Sequence, residues 1–200
     1  MTTFLVARHA MHDWVGRGIA GRQPDVSLNE LGRQQARELP ERLQGVHLDA
    51  LWCSPQPRTR QTLEPLAAAR GMTIHEHPGI DEVDMGDWVG MMFDELEALG
   101  APWRHWCERR GSAHPPGGEP FADVPRRAMA ALHDIRERFP QGTVLVVSHG
   151  DVIKSVVATC LGMSLDDLER FDIAPASLTQ LDLAEDWRKL KQLNVLGPLR

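Results

Sequence analysis

Two histidines occupy matched places in this chain. Phe4-Leu5-Val6-Ala7 runs into Arg8-His9-Ala10, and Val144-Leu145-Val146-Val147 runs into Ser148-His149-Gly150. Each apolar run reads as a buried strand, so each histidine falls at a strand's C-terminal end. In an open α/β sheet that edge is where ligands bind, and neighbouring strands would bring two imidazoles and the Arg8 guanidinium together. Gly150 then opens a helix whose free backbone N–H groups favour an anion. A third segment points to the same edge: Ser54-Pro55-Gln56-Pro57-Arg58 leaves a strand and enters a helix, which puts Arg58 in the first helical turn. An arginine beside a helix N-terminus is electrostatically unfavourable unless an anion lies between them. Each residue alone has a plainer reading as a capped or solvated side chain; the repetition on matched strands makes a site.

The elements that must hold these residues alternate. Thr3 to Ala7 reads as a strand, and Ser27-Leu28-Asn29-Glu30 as a capping box opening a helix to about Leu43. Ala50 to Cys53 is a short strand, Pro57 to Arg70 a helix closed by Gly71, and Met72 to His75 another short strand. From about Pro78 to Pro120 the chain is rich in Gly, Pro, Trp and acids, with short helical pieces at Asp94 to Leu99 and Trp103 to Arg110; this reads as an insertion over one end of the core. A helix from Asp123 to about Phe139, a strand from Thr143 to Val147, a helix from Gly150 to Leu161 and two strands, Leu178 to Leu183 and Arg188 to Leu193, complete the order. The alternation predicts a three-layer α/β/α sandwich around a mainly parallel central sheet, with residues 1–200 as a single domain and the insertion at about 78–120.

Composition sets the outer bounds. Two hundred residues, 42% hydrophobic and 25% charged, describe a globular chain. No apolar stretch approaches the roughly 20 residues of a membrane helix, and Phe4-Leu5-Val6-Ala7 is shorter than the apolar core of a secretory signal. A cytoplasmic protein with no membrane partner is expected. The net charge of −6 argues against a general nucleic-acid binder. Of the 22 basic residues only Lys154, Lys189 and Lys191 are lysines, so the positive charge is almost wholly guanidinium, suited to phosphate or carboxylate. Cys53, Cys107 and Cys160 are an odd number without metal-type pairing and are expected as reduced, buried thiols.

Taken in order, the residues resemble the histidine phosphatase superfamily in its phosphoglycerate-mutase-like branch. Arg8-His9-Ala10 matches the Arg-His-Gly signature. The match continues through Gly21 and Asp25, Leu28-Asn29-Glu30-Leu31-Gly32 with Gln35-Ala36, and Ser54-Pro55-Gln56-Pro57-Arg58 with Gln61-Thr62. Glu82 with Gly86-Asp87-Trp88, Pro116-Gly117-Gly118-Glu119 and Val147-Ser148-His149-Gly150 follow, so the resemblance covers nearly the whole chain. It implies a phosphate pocket in which His9 is the nucleophile, Arg8, Arg58 and His149 hold the phosphoryl oxygens, and Glu82 protonates the leaving group. Gly150, Gly21 and Arg22 join the phosphate- or substrate-binding set. The implied activity is a metal-independent phosphatase acting on small phosphate monoesters through a phosphohistidine, with no cofactor. Fixed cations aimed at the three equatorial oxygens are sufficient electrostatics for such a step. On the residues alone, Glu76, Asp81, Glu82, Asp84 and Asp87 are equal candidates for the acid, and only the resemblance selects Glu82.

Three positions depart from that pattern. Ala10 replaces a glycine and would add a methyl group close to the phosphate. Val15 stands where asparagine is common, with His12 or Arg17 as substitutes, and Val89 stands where a glutamate often follows the tryptophan. His75-Glu76-His77 near Asp81 is a weak metal-like pattern. Trp88, Trp103 and Trp106 with Met91, Met92 and Phe93 read as the insertion's own small core, and Arg104, Arg109 and Arg110 as a solvated helix face. A cofactor-dependent phosphoglycerate mutase is the alternative function, and a silent phosphate-binding module a more distant one.

Overall fold

The computed structural model describes residues 1–199. Six strands form one sheet: β1 (Thr2–Arg8), β2 (Ala50–Cys53), β3 (Ile74–Glu76), β4 (Thr143–Ser148), β5 (Leu178–Leu183) and β6 (Arg188–Val195). Their order is β3-β2-β4-β1-β5-β6. The first four in that order run parallel, and β5 and β6 are antiparallel to their neighbours. The near-continuous apolar runs of β1 and β4 are explained by helices on both faces. Leu5, Ala7, Leu51, Cys53, Leu145 and Val147 point to the face covered by α1 (Glu30–Arg42) and α2 (Pro57–Arg70). The alternate residues Phe4, Val6, Trp52, Val144 and Val146 pack under α5 (Asp123–Arg138) and α6 (Gly150–Leu161).

Two local expectations shift. The cap of α1 is Asn29, whose side chain accepts from the Gly32 N–H at 2.9 Å, while Ser27 Oγ accepts from Gln61 instead. β3 begins at Ile74, two residues later than expected, because its partners in β2 are Leu51 to Cys53 and the parallel register pairs Cys53 with Glu76. The segment at about 78–120 carries α3 (Phe93–Ala98) and α4 (Ala101–Glu108), flanked by short 3₁₀ turns. Its core is aromatic: Trp88 stands edge-on to Trp103 at 5.6 Å and to Trp106 at 5.8 Å, and Trp106 edge-on to Phe121 at 5.4 Å. Gly86 and Gly118 let its two motif segments touch backbone to backbone, since a Cβ on either would strike the other's main chain. Among the described residues no helix is long and apolar enough to cross a membrane.

Candidate active site

Sheet register brings the first-named residues together. β1 and β4 pair Arg8 with Ser148, and the His9 N–H donates to the Ser148 carbonyl at 2.9 Å, so the two histidines leave their strands side by side. β2 pairs Cys53 with Val147, and Ser54 N–H donates to Val147 at 3.0 Å, which sets Ser54 and the start of α2 at the same level. The His9 and His149 rings lie 5.3 Å apart.

A cavity of ≈ 230 Å³ opens over these strand ends, lined among others by Arg8, His9, Gly21, Glu82 and Gly150. Arg58 and His149 are fully buried beneath it. Arg58 Nη2 donates to the Gly21 carbonyl at 2.7 Å and to His149 Nδ1 at 3.2 Å. Gly21 has φ +53°, and a side chain there would meet Val89. Arg8 Nη1 donates to the Ile173 carbonyl at 2.7 Å, and its guanidinium lies against Gly150, where a Cβ would sit 3.4 Å away. Arg8 Nε, Arg58 Nε and Arg58 Nη1 are buried donors without a hydrogen-bond partner among the described residues. Buried donors are almost always satisfied, so three orphans on two guanidiniums are groups that an anion could satisfy.

His9 is held in one tautomer. Its Nδ1 lies 2.8 Å from the Ala10 carbonyl, which only accepts, so Nδ1 carries the proton and Nε2 keeps its lone pair. Burial, followed by the Arg8 and Arg58 charges, drives the His9 pKa well below its ordinary value, and the same causes act on His149. Both imidazoles are therefore neutral at physiological pH.

The acidic loop divides its labour. Glu82 Oε2 lies 3.4 Å from His149 Nδ1 and 3.9 Å from Arg58, and burial raises its pKa to about 7 against the opposing pull of Arg58. Asp81 points the other way, accepting from Gln56 Nε2 at 2.9 Å and from the Glu82 N–H at 2.8 Å. Glu76 pairs with Arg60, and Asp84 and Asp87 lie outside the cavity lining.

Several placements correct the sequence reading. Arg22 does not line the cavity. Four groups claim it: Nε donates to the Glu82 carbonyl at 2.8 Å, Nη2 to Glu119 at 3.0 Å, and Asp81 and Asp84 lie 3.6 and 3.7 Å away. The Ala10 methyl packs with Leu28, Ala36 and Ala176 rather than facing the cavity, while its N–H donates to Thr62. Of the two proposed substitutes for a polar residue at position 15, His12 lines the cavity, 4.7 Å from His9, and Arg17 does not. Arg110 is buried over Trp106, bonded to Asp151 at 2.9 Å and Glu169 at 3.2 Å, because it ties the insertion to α6. Cys107 is exposed, not buried. His75 stacks on Trp52, and His77 accepts from Gly79, so the metal-like pattern is dispersed. Ligand-type atoms of His9, Glu82 and His149 do lie within 4.8 Å of one another. The Arg8 and Arg58 guanidiniums beside them oppose a cation there.

Other residues near the cavity are not singled out by the sequence as site residues. Ser54 Oγ lies 2.7 Å from His149 Nε2. Arg127 donates to the Asp81 and Glu82 carbonyls and pairs with Glu119, fixing the loop that carries Glu82. Lys154, Asp151 and Asp172 line the outer cavity. Only Lys154 carried a hint, lying one turn beyond Gly150 on the same helix face.

The fold and this cationic pocket define a phosphate-handling α/β protein. Residues 4–196 match the family model of the histidine phosphatase superfamily (branch 1), and the chain belongs to that family. It is 32% identical over 198 residues to phosphoserine phosphatase 1 of Hydrogenobacter thermophilus, covering 98% of this chain and 93% of that one. It is 29% identical over 187 residues to the probable phosphoglycerate mutase GpmB of Yersinia pestis, covering 92% and 86%. The solved structure of Bacillus stearothermophilus YhfR superimposes with a TM-score of 0.91 at 31% identity, covering 98% of both chains.

Proposed function

We propose that the protein is a phosphatase that hydrolyses small phosphate monoesters through a phosphohistidine on His9. The observation that carries this reading is the set of three orphaned guanidinium donors beside an imidazole whose Nε2 lone pair is held free by the Ala10 carbonyl. Arg8, Arg58, His149 and the Gly150 N–H hold the phosphoryl oxygens, and one of these oxygens takes the place of Glu82 Oε2 over Arg58. His9 Nε2 attacks phosphorus in line as the ester P–O bond breaks. Glu82, neutral below about pH 7, gives its proton to the departing alkoxide. The resulting carboxylate then takes a proton from water as water attacks the phosphohistidine, returning His9 and releasing inorganic phosphate.

The modest cavity suits a small leaving group, below the roughly 300–1,000 Å³ typical of drug-sized ligands. The relatives are named a phosphoserine phosphatase and a probable phosphoglycerate mutase, names that point to small phosphorylated substrates. One cationic end favours water over a second hydroxyl as acceptor. The outer cavity carries Asp151 and Asp172, and its Lys154 is engaged with Glu169 at 3.3 Å. Turnover of p-nitrophenyl phosphate should fall at least about 10³-fold in His9→Ala. A base-stable, acid-labile phosphoprotein should form in the wild type only. Retained turnover in His9→Ala would exclude His9 as nucleophile. Brisk conversion of 3-phosphoglycerate to 2-phosphoglycerate with 2,3-bisphosphoglycerate would make the protein a mutase.

A further inference from the structure

His149 is wired on both sides. Arg58 Nη2 can only donate, so at 3.2 Å from Nδ1 it requires a lone pair there, and a neutral His149 must then carry its proton on Nε2. That N–H points at Ser54 Oγ, 2.7 Å away. Ser54 is itself fully buried, and its hydroxyl lies 3.4 Å from Asp81 Oδ1 and 3.3 Å from Thr59 Oγ1. Thr59 Oγ1 stands 2.8 and 2.7 Å from the Ser54 and Gln56 carbonyls and spends its own proton there. The Asp81 carboxyl, held in place by Gln56 Nε2 and the Glu82 N–H, is the acceptor left for the Ser54 proton. The chain therefore reads His149 Nε2–H to Ser54, and Ser54 O–H to Asp81.

This wiring has a consequence for ligand binding. An oxygen of phosphate arriving over Arg58 would face the Nδ1 lone pair, which is repulsive unless Nδ1 is protonated. The charged and titratable groups facing His149 come from every packed element: Arg8 and His9 at the end of β1, Arg58 of α2, Arg127 of α5, and the Asp81 and Glu82 carboxyls. The cations oppose a second proton, and Asp81 acting through Ser54 favours it.

We propose that Ser54 is a positioning residue that fixes His149 as the Nε2–H tautomer and joins it to the Asp81 carboxylate, so that His149 accepts a proton at Nδ1 when phosphate binds. The proposal rests on the phosphatase reading only for its ligand. When phosphate arrives as a monoanion, its O–H bond breaks, the Nδ1–H bond forms, and the ligand is held as a dianion against an imidazolium; no other reactant takes part. Removing the relay lowers the pH at which the liganded imidazolium loses its proton.

The test is ¹⁵N NMR of the full-length protein labelled in histidine, with the His149 signal assigned by its loss in His149→Asn and inorganic phosphate as the probe. The free wild type should show the neutral Nε2–H pattern at pH 7, and phosphate should convert it to imidazolium. In Ser54→Ala the phosphate-loaded signal should titrate at least about one pH unit lower, the size of a nearby-charge effect. Asp81→Asn should move it in the same direction and serves if Ser54→Ala does not fold. The alkaline limb of kcat for p-nitrophenyl phosphate, whose leaving group needs no proton from Glu82, should move down in parallel, which loss of packing alone would not produce. An Nδ1–H tautomer in the free wild type, or a phosphate-loaded titration unchanged in both variants, would overturn the relay. Failure of the wild type to bind phosphate would instead overturn the phosphatase reading, and the free-state tautomer would still decide the relay.

Discussion

The floor of the cavity and its outer wall are built by different means. The floor is three strand ends in register: His9, Ser54 and His149 each follow a buried parallel strand, and backbone hydrogen bonds continue past the strands to hold His9 and Ser54. The wall is assembled from loops and side chains. Val83, Met85 and Phe93 come from the insertion, Trp14, Val15 and Ile19 from the loop after β1, and Lys154, Asp151 and Asp172 from the opposite side. It is held by edge-on tryptophans and by Arg110 bridging Asp151 to Glu169. A floor fixed by sheet register can hold charges to within the tolerance that phosphoryl transfer demands, whereas a wall of loops can vary without disturbing it. Substitutions on the floor should therefore lower kcat, and those on the wall should change KM.

Glu82 tests this division most severely because it belongs to both regions. Its carboxyl lies over the floor, while its backbone carbonyl is held by Arg22 and Arg127 of the surrounding ion-pair network. As the proposed proton donor it should be worth about 10²- to 10⁴-fold in turnover of an alkyl phosphate, read as kcat in Glu82→Gln. The loss should be much smaller for p-nitrophenyl phosphate, whose leaving group needs no proton. With its pKa raised to about 7, the wild type should lose alkyl phosphate turnover above that pH, and Glu82→Gln should lack this limb. Stability has a matching sign. The folded carboxyl holds its proton up to about pH 7 while the unfolded one releases it near the ordinary value of 4.5, so the wild type loses stability as pH rises between those values. Glu82→Gln should melt higher than the wild type at pH 8, and a lower melting point would contradict the buried, neutral acid.

Arg58→Lys asks whether the floor needs a shape or only a charge. Two of the three orphaned donors belong to the Arg58 fork, and its third nitrogen bonds both Gly21 and His149. An ammonium keeps the charge but cannot span those directions. Turnover should fall by on the order of 10²-fold, by analogy with loss of one oxyanion donor, with a smaller change in KM. Near wild-type kcat in Arg58→Lys would show that charge alone suffices.

The same division explains what could be read from the sequence. The floor was legible because strand periodicity and strand ends are local signals. Phe4 to Ala7 and Val144 to Val147 announce buried strands, and the residues that follow must emerge at one edge. The resemblance selected Glu82 from five nearby acids, and burial of its carboxyl near Arg58 is the physical distinction that composition could not supply. Arg22 and Arg110 were misplaced for a common reason. Their charged partners, Glu119 at one site and Asp151 with Glu169 at the other, lie 41 or more positions away, and no helical or strand period links these pairs. Ser54 stands out in the sequence only as part of a motif, and its contact with His149 depends on the β2–β4 register, a tertiary fact.

The wall should yield the smallest effect, and Phe93 is the cleanest place to look for it. It opens α3, lines the cavity and leans on Trp103 with ring centroids 6.2 Å apart, yet it touches none of the charged groups of the floor by hydrogen bond or ion pair. Because Phe93 is only partly buried and Trp88, Trp106 and Phe121 form the insertion's packed centre without it, Phe93→Ala should fold normally. What it removes is apolar contact with the leaving group, which for a small group in such a pocket is worth about 1–3 kcal/mol between substrates. KM for an aryl phosphate should rise by roughly tenfold, while KM for a small polar ester such as phosphoserine and kcat for both should change little. An equal loss of kcat on both substrates would mean that the insertion transmits strain to the strand ends, and the separation of floor from wall would fail.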